Sequence, residues 1–116
     1  MRYRRLRVQD LLQEEISSII QRDIKDPGLG FITILEVKMT EDLKTAKVVC
    51  SVYGEHEEKE KTMKALNRSK GYIKFLLGQR IKLRLMPEIN FILDNSYEKI
   101  ARIEEILKKE IHVPQD

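Results

Sequence analysis

Apolar residues recur at helical spacing from Leu6 onward, with Val8, Leu11, Leu12, Ile16, Ile19, Ile20 and Ile24 on one face. Glu14, Ser17, Ser18 and Gln21 fill the other face. Asp26-Pro27-Gly28 ends this helix, because proline cannot continue it and pushes the residue before it out of helical angles. The period then changes to two: Phe31, Thr33, Leu35, Val37 and Met39 share one side of a predicted strand, with Glu36 and Lys38 on the other. A short turn, Thr40-Glu41-Asp42-Leu43-Lys44, leads to a second strand with Ala46, Val48, Cys50 and Val52 opposite Lys47, Val49, Ser51 and Tyr53. So short a connection predicts an antiparallel hairpin. Ile81, Leu83 and Leu85 give an extended approach to Pro87. A third strand spans 88–94, with Ile89, Phe91 and Leu93 on one face and Ile92 on the other. Asn95-Ser96-Tyr97-Glu98 reads as a capping box, and Ile100, Ile103, Ile106 and Leu107 as the apolar face of a last helix.

Between the second and third strands, Met63, Leu66, Ile73, Leu76 and Leu77 again recur at helical spacing. Wound as one straight helix, this stretch sets Lys70 between Met63 and Leu77 on the apolar face, with Lys74 beside it. A buried, unpaired ammonium is costly. A break at Ser69-Lys70-Gly71 resets the phase and frees both lysines, and Gly71 takes unusual backbone angles at low cost. The expectation is two short helices meeting at a kink set by Ser69 and Gly71, the second closed by Gly78. The order is then α-β-β-α-kink-α-β-α, an α+β domain whose three-stranded sheet is covered by helices on one side.

Charge changes the picture more than composition does. With 116 residues, 41% hydrophobic and 35% charged, the chain reads as a single domain over 1–116. The net charge is only +3, yet the stretch 61–84 carries Lys61, Lys64, Arg68, Lys70, Lys74, Arg80, Lys82 and Arg84 with no acid among them. The offsetting acids stand outside it, at Glu55, Glu57, Glu58 and Glu60 upstream and from Glu88 downstream. Such segregation builds a local field suited to a polyanion. Arg2, Arg4, Arg5 and Arg7 add a basic N-terminal arm, read either as a frayed end or as a phosphate contact. Residues 1–5 and the tail 112–116 are expected to be flexible.

Candidate catalytic chemistry is thin. His56 lies in an acidic stretch and His112 in the tail, neither spaced with a cysteine or carboxylate pair for a metal. No nucleophile elbow, Walker A or dinucleotide fingerprint occurs. Cys50, the one cysteine, sits in an apolar run and reads as a buried structural thiol. There is no apolar signal-peptide core and no run long enough to span a membrane, so a cytoplasmic protein without cofactor or metal is expected. Nucleic-acid binding fits better: the basic block, a sequence pI near 9.0, and Tyr72 and Phe75 flanking the break. Phe75 is read as core more than as a stacking ring; Tyr72 stays open between the two.

The residues in order resemble the bacterial ribosome-binding factor A family. The resemblance covers nearly the whole chain. It is carried by Arg7-Val8, Asp10-Leu11-Leu12, Glu15-Ile16 and Ile19-Ile20, then by Lys25-Asp26-Pro27 and Leu29-Gly30-Phe31. It continues through Asp42–Val48, Leu66-Asn67, Gly71, Pro87–Phe91, Asp94–Glu98 and Ala101-Arg102-Ile103. It implies a type II KH-like domain in which an Ala-x-Gly kink replaces the usual GxxG loop; here the alanine is Ser69, and Gly28 stands where the family commonly has arginine after Asp-Pro. It also implies a non-enzymatic factor that binds the immature small ribosomal subunit and its rRNA, aids late rRNA maturation and serves cold adaptation. On this reading a monomer docks through Arg2, Arg4, Arg5, Arg7, Lys64, Arg68, Lys70, Tyr72, Lys74, Arg80, Lys82 and Arg84. Two alternatives stay open from the residues alone: a KH-type binder of non-ribosomal RNA, and a basic protein-interaction module.

Overall fold

The computed structural model describes residues 2–94 together with 103, 106 and 107. Its elements are α1 (Arg2–Arg22), β1 (Ile32–Met39), β2 (Thr45–Val52), α2 (His56–Arg80) and β3 (Glu88–Leu93). The strands form one sheet in the order β1-β2-β3; β1 runs antiparallel to β2, and β3 parallel to it. Both helices lie on one face. Leu12, Ile16 and Ile19 of α1 and Leu66, Ile73 and Leu77 of α2 meet Val48, Cys50 and Ile89 of the sheet, all fully buried. The last predicted helix and its capping box fall outside the described residues, except that Ile103, Ile106 and Leu107 are helical with exposed side chains.

Helix α1 starts earlier than its apolar face suggests. Arg2, Arg4 and Arg5 belong to its first turns, not to an arm preceding it. It ends at Arg22, where the Asp23 and Ile24 N–H groups both donate to the Ile19 carbonyl, ahead of the Asp26-Pro27 stop.

Strand β1 departs from simple alternation. Ile34 faces Cys50 and Glu36 faces Val49, so two residues of β2 in direct succession oppose a segment containing one extra residue, Leu35. This bulge inverts the parity of the strand. Val37 and Met39 are buried as expected, but before the bulge it is Ile34 that faces the core, while Phe31, Thr33 and Leu35 are exposed. Strands β2 and β3 follow their sequence pattern: Ala46, Val48, Cys50, Val52 and Ile89 are buried, and Ile92 faces away.

The break in the second helical segment does not occur. A single 25-residue helix runs through Ser69-Lys70-Gly71, and Gly71 has no positive φ. The reason is where the buried face lies. Thr62, Ala65, Leu66, Ile73 and Leu77 are its buried residues, and at about 100° per residue their centre is offset from the Met63–Leu77 line toward Thr62 and Ser69. Lys70 thereby falls on the flank of the face, where it is only half-buried. Thr62 is satisfied at full burial, its hydroxyl accepting from the Gly30 N–H at 3.0 Å and contacting the Gly28 carbonyl at 3.5 Å.

The bulge gives a register test. Ile34→Ala should cost about 2–4 kcal/mol in urea unfolding, while Phe31→Ser and Leu35→Ser should each stay within about 0.5 kcal/mol. The reverse pattern would place the strand in the unbulged phase.

Candidate nucleic-acid interface

Helix α2 buries one face and turns the other outward. Lys61, Lys64, Arg68, Tyr72 and Phe75 follow one another by three or four residues, so they form one stripe along the exposed face. Tyr72 and Phe75 are 51% and 58% exposed, with ring centroids 6.5 Å apart and planes within 19°. Phe75 is therefore a surface ring and not the core residue expected. Two aromatic planes beside three cations offer stacking for bases and charge for phosphates. Gly71 lies on this side too, and a Cβ added there meets nothing within 4 Å.

The structure divides the predicted cations by their partners. The Arg68 guanidinium donates to both Asp26 carboxylate oxygens, at 3.0 and 3.1 Å. Asp26 Oδ1 also accepts from the Gly28 N–H at 2.9 Å, so one carboxylate ties the α1–β1 loop to the middle of α2. Arg68 and the Gly28 amide both hold the Asp26 carboxyl below its ordinary pKa, and Asp26 in turn raises that of Arg68. A Cβ at position 28 meets Arg68 Nη2 at 3.0 Å, so this chain's glycine leaves room for the clamp. Lys74 pairs with Glu88 at 3.1 Å, joining α2 to β3. Arg80 pairs with Asp23 at 2.7 Å and Glu15 at 3.7 Å, joining α2 to α1. Each of these three cations thus links α2 to a neighbouring part of the fold as well as charging its surface.

Lys64 is exposed and Lys70 half-buried, and neither forms a salt bridge with a described residue. Arg5 is half-buried on α1, and Arg2 lies in the first turn of that helix. The remaining predicted cations gather elsewhere. Arg4, Arg7, Lys82 and Arg84 line a cleft of about 500 Å³ between the start of α1, the β1–β2 turn and the strap before β3. Lys44 joins them from the turn; nothing in its sequence context marks it, since only the fold brings the hairpin tip to the start of α1. Val8, Leu11, Met39, Leu43 and Leu83 form the aliphatic lining.

Two helices on one face of a three-stranded sheet, with β1 and β2 a hairpin and α2 a crossover to a parallel β3, make this a type II KH-like α+β domain. The family model for ribosome-binding factor A matches residues 4–107. Ribosome-binding factor A of Halothermothrix orenii is 48% identical over 108 residues, covering 93% of this chain and 88% of that protein. The crystal structure of ribosome-binding factor A from Thermus thermophilus superposes with a TM-score of 0.69 at 22% identity, covering 77% of this chain and 93% of that one. Thermus thermophilus coordinates fitted into a cryo-EM map of a 30S complex give a TM-score of 0.62 at 23% identity, covering 75% and 91%. The chain belongs to the ribosome-binding factor A family.

Two outcomes test this geometry. The clamp's contribution from Asp26 is complete above the ordinary carboxyl value of 3.8 and is lost as pH falls through the lowered folded value. The stability difference between wild type and Asp26→Asn, followed by urea unfolding, should therefore hold steady from pH 7 to about 5 and shrink in more acidic solution. Gly71→Ala, at an open helical position, should stabilise the protein by about 0.5–1 kcal/mol; destabilisation would show that α2 needs a glycine there.

Proposed function

We propose that this protein is a non-enzymatic assembly factor that binds the immature small ribosomal subunit and holds a local rRNA conformation during late maturation of that RNA. The observation that carries the reading is the α2 stripe, with Lys61, Lys64 and Arg68 alongside the exposed, stacked Tyr72 and Phe75. Phosphate contacts position such a protein, and stacked rings hold unpaired bases. Family membership supports the ribosomal target, as does the Thermus thermophilus relative fitted into a 30S complex. The factor acts as a monomer in the cytoplasm, where subunits are assembled.

Cys50 is fully buried, and desolvation pushes its thiol up to about 11, far from a thiolate nucleophile at neutral pH. His56 is exposed beside Glu60 at 3.8 Å. No helix among the described residues is long and apolar enough to cross a membrane.

Co-sedimentation with small subunits, large subunits and bulk RNA across a salt series tests the proposal. Retention on small subunits alone is expected, with a log K against log salt slope of about −5 if roughly six phosphates of duplex-like RNA are neutralised. Lys61→Glu/Lys64→Glu should weaken retention and flatten that slope by about 2 while leaving the melting temperature unchanged, because both side chains are exposed. Equal binding to every RNA would overturn the ribosomal target, and retention that survives RNase treatment would overturn RNA as the ligand.

A further inference from the structure

The cleft at the start of α1 has a chemistry that the α2 stripe does not account for. Its rim cations, Arg4, Arg7, Lys44, Lys82 and Arg84, form no salt bridge with a described residue, whereas Arg68, Lys74 and Arg80 are spent on internal partners. The one acid in the lining, Asp42, is turned into the hairpin. It accepts from the Thr40 hydroxyl at 2.6 Å and the Lys44 N–H at 3.0 Å, and these bonds lower its pKa. The wall is aliphatic. One of its residues, Leu43, holds a φ of 60°, a conformation that costs a leucine about 1–3 kcal/mol. The turn bonds enforce it, and Leu43 packs both against the core and into the cleft lining. Tyr3 and Leu85, 73% and 75% exposed, complete the lining, and the Arg7 guanidinium lies 6.0 Å over the Tyr3 ring.

We propose that this cleft receives a single unstacked nucleotide of the bound RNA, its base against the aliphatic wall and the Tyr3–Arg7 shelf, its flanking phosphates on the rim cations. The inference rests on the RNA-binding reading above and adds a second point of contact to it. A continuous duplex backbone would use the cations but not the wall; an extruded nucleotide uses both, because its base has a flat apolar face and its phosphates are anionic. Among the rim cations Arg4, Arg7 and Arg84 carry planar guanidinium groups, which pair bidentately with phosphate and stack on bases as an ammonium does not. A cleft of about 500 Å³ lies in the range of small-ligand sites and suits one nucleotide.

The test uses the full chain and two RNA hairpins that differ only by one bulged 2-aminopurine. Wild type should bind the bulged hairpin about tenfold more tightly than the fully paired one, with a change in 2-aminopurine emission on binding. Tyr3→Ala/Leu85→Ala, at two exposed side chains, should abolish that preference while retaining the melting temperature and the affinity for the paired hairpin. Lys82→Glu/Arg84→Glu should weaken binding of the bulged hairpin more than of the paired one. Equal wild-type affinity for both hairpins would overturn the cleft proposal and leave RNA binding through α2 standing. Failure to bind either hairpin or small subunits would overturn both readings. A dimer in sedimentation that dissociates in Tyr3→Ala/Leu85→Ala, or an acidic peptide whose binding that variant alone abolishes, would assign the cleft to a protein and overturn the proposal.

Discussion

The parallel pairing of β2 with β3 is the constraint on which the rest of this architecture depends. A parallel neighbour cannot be reached by a tight turn, so the chain must travel the length of the sheet and return. Helix α2 is that return. Lying on a three-stranded sheet with α1 beside it, α2 buries only the side that holds Thr62, Ala65, Leu66, Ile73 and Leu77. Its other side stays in solvent over the helix's whole length, and that side carries the cations and rings. The candidate binding surface follows from the topology because a crossover helix on a small sheet has one face to spare.

The basic character of the chain is divided between two tasks. Arg68 reaches Asp26 in the α1–β1 loop, Lys74 reaches Glu88 of β3, and Arg80 reaches Glu15 of α1 and Asp23 just beyond its end. Exposed ion pairs contribute little individually; the buried face seats α2, and these three pairs bridge its rim to its neighbours. Among the described residues, Lys61 and Lys64 on the stripe and the cations around the cleft are not tied to acids in this way. An anionic ligand meets these at lower desolvation cost, since no existing pair must be broken.

Much of this was legible in the residues. The alternation of Ala46, Val48, Cys50 and Val52 placed β2, because it depends on local period, whereas α1 ends at Arg22, four residues ahead of the Asp26-Pro27 stop. The acid-free block marked α2 as the charged helix. What could not be read depended on partners distant in sequence. Leu35 becomes a bulge only because Ile34 and Glu36 must both register with β2. Lys70 lies on the flank because two small residues, Thr62 and Ala65, extend the buried face to the side away from it, and hydrophobicity alone gives them little weight. Phe75 looked apolar enough for the core, but the core side of α2 was already filled by Ile73 and Leu77. Lys44 had no signal of its own; it joins the cleft because the hairpin folds its tip back to α1.

The bulge has a consequence for how the protein behaves in a crowded solution. With the order β1-β2-β3, β1 is an edge strand, and α1 covers part of its outer side: the Met39 N–H donates to Gln9 Oε1 at 2.8 Å and the Leu35 carbonyl accepts from Gln13 Nε2 at 3.2 Å. A regular eight-residue edge would be a template for strand addition. The extra residue at Leu35 interrupts its hydrogen-bonding repeat and increases its twist, and Glu36 and Lys38 set charges of both signs just past the irregularity. The same irregularity that exposes Phe31 and Leu35 thus leaves β1 without the straight, regularly bonded edge along which another strand would add.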